Sequence, residues 1–132
     1  MKRVSAREAH TLMEHEGYVY LDVRTRAEFD ECHPRGALHV AWLESGPAGM
    51  VVNPSFLSSV ESALGREARI VVGCASGVRS LAAAALLVEH GFLHVCEQRA
   101  GMNGVRDPFG RVREPGWRAA GLPVEPAEKL EG

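Results

Sequence analysis

The sequence has no apolar run long enough to cross a bilayer: the longest, Leu81 to Val88, falls far short of the ~20 residues a spanning helix needs. It has no marked surplus of either charge. With 15 basic and 17 acidic side chains its formal net charge is -2, so no general basic field exists. Nucleic acid and anionic membrane surfaces are therefore not expected as partners. Residues Met1 to Glu8 carry charges but no apolar segment, so no secretory signal is read there. Cysteine is scarce, with 3 residues at positions 32, 74 and 96. An odd number at wide spacing is neither a disulfide framework nor a zinc pattern, and it suits a reducing, cytoplasmic setting. The 6 histidines are scattered without metal-ligand spacing, so no metal is expected.

What is present is an ordinary globular composition, 45% hydrophobic and 24% charged, in 132 residues. That is the size of one domain, read here as 1–132. Short apolar strands alternate with helical stretches, the pattern of a parallel sheet with helices on both faces. Ser5-Ala6-Arg7-Glu8 and Thr25-Arg26-Ala27-Glu28 both read as capping boxes. The first opens a helix to about His15, the second a short helix stopped by Pro34 and Gly36. Strands are expected at 18–23, 37–42, 69–73 and 93–96. Residues 44–53 read as loop, and Pro54 as a first helical position for a helix ending near Leu64. An alanine-rich helix spans Ser80 to His90. Residues 99–123, rich in glycine and proline, read as one long loop with a helical turn near Trp117, and 125–132 as a loose tail.

The informative segment is Val71-Val72-Gly73-Cys74-Ala75-Ser76-Gly77-Val78-Arg79-Ser80. A buried strand ends, one cysteine follows, and a helix begins a few residues later. Ligands of open α/β sheets bind beyond the carboxyl ends of strands, which is where Cys74 falls. The backbone N–H groups of the loop, curled by Gly77, the helix N-terminus and Arg79 all favour a thiolate, a persulfide anion or a docked oxyanion. Cys74 is thus the candidate nucleophile, with Ala75, Ser76, Gly77, Val78 and Arg79 as the candidate substrate cradle, Arg79 serving either to contact the substrate or to brace the loop. Tyrosine-phosphatase-type loops place five residues between cysteine and arginine. Here four intervene, a smaller ring better suited to a single outer sulfur than to a phosphate.

Cys74-Ala75-Ser76-Gly77-Val78-Arg79-Ser80 resembles the rhodanese motif Cys-x-x-Gly-x-Arg-Ser. Leu21-Asp22-Val23-Arg24-Thr25-Arg26-Ala27-Glu28-Phe29 is similar to the upstream Asp-Val-Arg-x-x-x-Glu-Phe signature of that family, and His33-Pro34-Arg35-Gly36-Ala37 to its His-Ile-x-Gly-Ala. Gly121-Leu122-Pro123-Val124 is also typical, and Gly46-Pro47-Ala48-Gly49-Met50 and Asn53-Pro54-Ser55-Phe56 resemble the single-domain branch of plants and bacteria. The resemblance implies a five-stranded parallel sheet with helices on both faces. It further implies sulfur transfer through a Cys74 persulfide, from a small anionic donor such as thiosulfate to cyanide, a thiol or a protein acceptor, without cofactor. Asp22, Arg24, Glu28 and Ser80 are implied as groups that brace the loop rather than touch substrate. The alternative is a persulfide-carrying or redox-sensing module with little small-molecule turnover.

The sequence departs from the family pattern at Cys32, where glycine is usual, and at Ala100. It departs most after Gly101, where Asn103 to Gly116 separates the turn from Trp117. The arginines at 106, 111 and 113 make this insert basic, and it is expected to shape access to the site. Cys96 is expected in the core. Cys32, after a short helix and beside His33, is expected near the surface, with a second reading as the thiol that resolves the Cys74 persulfide as a disulfide.

Overall fold

The computed structural model describes residues 1–126 and orders them as β1 (Lys2–Val4), α1 (Ala6–His15), β2 (Val19–Asp22), α2 (Arg26–Glu31), β3 (His33–Pro34), β4 (Leu38–His39), β5 (Leu43–Gly46), β6 (Gly49–Val52), α3 (Phe56–Ala63), β7 (Arg69–Gly73), α4 (Val78–Glu89), β8 (His94–Gln98), β9 (Val105–Arg106), β10 (Val112–Glu114) and β11 (Val124–Glu125). Five strands form one all-parallel sheet in the order β1-β8-β7-β2-β4. The expected α/β class and parallel sheet are present. The fifth strand is β1, which lies outside the four strands expected from the sequence.

The alternation of side chains along the strands builds two cores. Leu21, Ile70 and Val72 face α3 and α4, meeting Phe56, Val60, Ala83, Ala84 and Leu87. Tyr20, Val71 and Cys96 face the other way, against Ala6 and Ala9 of α1 and against Met102 and Trp117. Strands buried on both faces need apolar residues at nearly every position, which is why β2 and β7 read so clearly. At the end of β7 only glycine fits, because a Cβ at position 73 would overlap the Tyr20 hydroxyl.

Both capping boxes form. Glu8 N–H donates to Ser5 Oγ at 3.1 Å and Ser5 N–H to Glu8 Oε1 at 3.0 Å, with the matching pair at Thr25 and Glu28 at 3.2 and 3.1 Å. Elsewhere the local expectations need correction. Residues 44–53 are not plain loop: β5 and β6 form an antiparallel hairpin. Pro54 lies before its helix, in a turn closed by Ser55 N–H donating to Asn53 Oδ1 at 2.9 Å, and α3 starts at Phe56. The helix after the cysteine starts at Val78 rather than Ser80, with Gly77 at φ +93° as its N-cap.

The stretch 99–123 is not one loop. Its first residues form a tight turn, and β9 and β10 then make an antiparallel hairpin that leaves and returns through Gly104 and Gly116. A Cβ at 116 would run into the backbone of Gly104 and Met102, so the two legs touch. The chain resumes at Trp117, which is buried, donates its backbone N–H to Gly101 O and its indole N–H to Pro123 O, and packs edge-on against Tyr20. Glu125, expected in the loose tail, pairs within β11 against β3. The rest of that tail, 127–132, lies outside the described residues. Among the described residues no helix is long and apolar enough to cross a membrane.

Candidate active site

Cys74 follows β7 directly and is 2% exposed. The loop turns back so that the N–H groups of Gly77 and Ser80 point at Sγ, at 3.2 and 3.3 Å, and α4 begins at the same place. Two backbone donors and a helix N-terminus therefore converge on one sulfur. The turn needs glycine at 77 twice over. Its φ is left-handed, and a Cβ there would strike the Arg99 carbonyl.

The loop is held from behind by the segment read as open loop. Met102 N–H donates to Cys74 O and Asn103 N–H to Ala75 O, each at 2.9 Å. Gly101, at φ +63°, lies so close to Cys74 and Ala75 that a Cβ would overlap their carbonyls. The shape of this supporting turn comes from Gln98. Its buried Oε1 accepts from Ala100 N–H at 2.9 Å and Gly101 N–H at 2.8 Å, while Nε2 donates to Gly101 O at 3.0 Å.

The residues singled out in the sequence divide into two groups. Ala75, Ser76, Gly77, Val78 and Ser80 surround Cys74, with Ser76 and Val78 exposed. Ser76, Gly77 and Val78 line an open cavity of about 590 Å³, shared with Arg3, Leu81, Arg99, Val105 and Glu114. The guanidinium of Arg79, read either as a substrate contact or as a brace of the loop, is taken up by Glu28, with Nη1–Oε1 at 2.7 Å and Nη2–Oε2 at 3.1 Å. Hydrogen bonds from Arg79, partly opposed by burial and joined by the Thr25 backbone N–H, bring the Glu28 carboxyl down to about 2. Glu28 also closes the capping box of α2, so one carboxylate ties α2 to α4. Asp22 and Arg24 form a buried ion pair, Nη2–Oδ2 at 2.7 Å, and Arg24 reaches on to the Cys32 carbonyl at 2.6 Å. That pair braces the turn after α2. Asp22 also lies in register with Gly73, at the strand end just before the cysteine.

His33 is a structural residue here, hydrogen-bonded to Phe29 O at 2.8 Å and stacked on the Phe29 ring. Cys96 is buried, and burial pushes its thiol up to about 11. Cys32 packs against the α1-side core and Cys74 belongs to the α4-side core, so the sheet stands between them. A resolving disulfide between the two would need backbone movement.

Sequence reading missed three contributors: Arg3, Glu97 and the Gln98 turn. Glu97 is wholly buried, accepts from Ser80 Oγ and forms a 2.5 Å ion pair with Arg3 Nε from the neighbouring strand. A signal was available. Two consecutive polar residues at the carboxyl end of a parallel strand are out of place unless they serve a site.

Fold and geometry together define an α/β domain with a buried cysteine cradled by backbone N–H groups at the carboxyl edge of a parallel sheet. The Rhodanese-like domain family model matches residues 5–107, and the chain belongs to that family. Thiosulfate sulfurtransferase 16, chloroplastic, of Arabidopsis thaliana is 39% identical over 122 residues, covering 92% of this chain and 91% of that protein. The senescence-associated protein DIN1 of Raphanus sativus is 44% identical over 85 residues, 64% of this chain, which spans about half (46%) of that relative's length. Among solved structures, Rv0390 from M. tuberculosis superposes with a TM-score of 0.76 at 28% identity, covering 95% of this chain and 97% of that one. Family membership and the sulfurtransferase names among relatives support sulfur transfer as the general chemistry.

Proposed function

We propose that this chain is a sulfurtransferase that carries sulfane sulfur as a persulfide on Cys74. The observation that carries this reading is the convergence of the Gly77 and Ser80 N–H groups and the start of α4 on Cys74 Sγ. Such donors stabilise negative sulfur, whether thiolate or persulfide. In the first half-reaction the Cys74 thiolate attacks the outer sulfur of a donor such as thiosulfate. The S–S bond of the donor breaks and sulfite departs with the bonding pair. In the second, cyanide or a thiolate attacks the outer sulfur, and Cys74 leaves as thiolate. No oxidant is consumed, and no step calls for a cofactor.

Ser76 and Val78, exposed beside the cavity, are the loop side chains placed to meet donor or acceptor. Arg79, Glu28, Asp22 and Arg24 hold the frame. The three thiols are free, which favours a reducing compartment such as the cytoplasm. The test is thiocyanate formation from thiosulfate and cyanide by the wild type and by Cys74→Ser. Turnover is expected to vanish in the variant. Turnover surviving there would remove Cys74 as the carrier. Absence in both would favour the second reading, a persulfide-carrying module serving a protein acceptor.

A further inference from the structure

Glu97 lies wholly buried at the end of β8, and the sulfur transfer above makes no use of it. Its Oε2 accepts from Ser80 Oγ at 2.5 Å and its Oε1 from Arg3 Nε at 2.5 Å. A hydroxyl has one proton to donate. With that proton committed to Glu97, the Ser80 oxygen presents a lone pair to Cys74 Sγ, 3.2 Å away. A lone pair accepts from a thiol and repels a thiolate. It therefore opposes the two backbone donors on the same sulfur.

We propose that Glu97, acting through Ser80, is a positioning residue that holds the Ser80 oxygen as an acceptor toward Cys74 and so offsets part of the thiolate stabilisation given by the two backbone donors. For the sulfur to ionise, Ser80 must either go on facing it with a lone pair or turn its hydroxyl away from Glu97. The second course strips a buried carboxylate oxygen of its hydrogen bond, and both penalise the thiolate. The thiolate is the form that alkylating agents and peroxides attack, so the arrangement protects the sulfur between turnovers. Arg3, at the far end of the chain of contacts, is 43% exposed and lines the cavity beside Ser76 and Gly77.

The other titratable groups within electrostatic reach of Cys74 are Tyr20 of β2 and Arg79 of α4, whose own charged neighbours are Asp22 and Arg24 at the end of β2 and Glu28 on α2. Asp22 and Glu28 are each held by an arginine, Arg24 and Arg79. The contact that reaches Sγ itself from a carboxylate runs through Ser80.

The inference rests on Cys74 as the reacting sulfur, but its test needs no turnover. The rate of Cys74 alkylation by iodoacetamide, separated from Cys32 and Cys96 by peptide mass spectrometry, is followed against pH. The proteins compared are the wild type, Ser80→Ala, Glu97→Gln and the double variant. Ser80→Ala removes the acceptor and is expected to lower the midpoint by on the order of one pH unit, so that alkylation below it runs about tenfold faster. Glu97→Gln lets the new amide donate to Ser80 and frees the hydroxyl for sulfur, with a similar lowering. In the Ser80→Ala background the same change is expected to add little. A midpoint that rises or stays put in Ser80→Ala overturns the proposal, because the hydroxyl would then be serving the thiolate or neither form. Equal effects of Glu97→Gln in both backgrounds also overturn it, reducing Glu97 to a bare charge. Should Glu97→Gln fail to fold, the direction of the Ser80→Ala shift decides alone.

Discussion

At the scale of single residues, the cysteine loop is built by positions that tolerate no side chain. Gly77 combines a φ of +93° with backbone contact to Arg99. Gly77→Ala should destabilise the protein by roughly 1–3 kcal/mol in urea unfolding and lower turnover further, because the N–H on Cys74 Sγ moves with the loop. The thiols should also separate. Burial holds the Cys96 thiol up at about 11, so at pH 8 native Cys96 should resist alkylation that becomes rapid once the protein is unfolded. Cys74 and Gly77 were legible in the sequence because their roles follow from neighbours in the chain. For Glu97 the sequence signalled only a polar residue at a strand end and not its partners, Ser80 and Arg3, the latter 94 residues away. Arg79 was half legible: its proximity to the cysteine followed from spacing, but its engagement with Glu28 required a second helix to arrive.

Between elements, the Arg79–Glu28 pair is the clasp joining α4 to α2. The folded carboxyl sits at about 2, below its ordinary value, so the clasp contributes stability at neutral pH. That contribution is lost as pH falls from about 4.5 toward 2. Glu28→Gln keeps a side chain able to cap α2 but removes the charge. It should cost on the order of 1 kcal/mol at pH 7, given the partial exposure of both groups, and should flatten the loss of thermal stability across that acid window. Thermal melts from pH 7 to 2.5 check both. The two capping boxes were readable because each is closed within three residues of its start. The hairpins β5–β6 and β9–β10 were not, because glycine and proline mark turns equally in a hairpin and in a loop. Nor was β1, whose Lys2 and Arg3 suit a strand only once β8 lies beside them.

Across the whole molecule, the β9–β10 hairpin is an excursion whose two ends already touch at Gly104 and Gly116, while Trp117 returns to the core on its own hydrogen bond to Gly101. Replacing 105–114 with a short flexible link should therefore change the unfolding free energy by less than about 1 kcal/mol. Because Val105 and Glu114 line the cavity beside Ser76 and Val78, the same change should alter the donor KM or acceptor preference in steady-state assays. Unchanged kinetics would leave the insert as surface decoration. The parallel sheet itself was foreseeable from alternating strands and helices, but its strand order was not, since nothing local says which strands meet. That order, β1-β8-β7-β2-β4, also has a consequence for the chain as it is made. Synthesis runs from the N-terminus, and β1 waits without a sheet partner until β8 has emerged. Cys74 reaches solvent before Glu97, Gln98 and Met102 exist to enclose it. On the ribosome the sulfur is thus briefly an ordinary accessible thiol, and any damage done then would be sealed into the finished core.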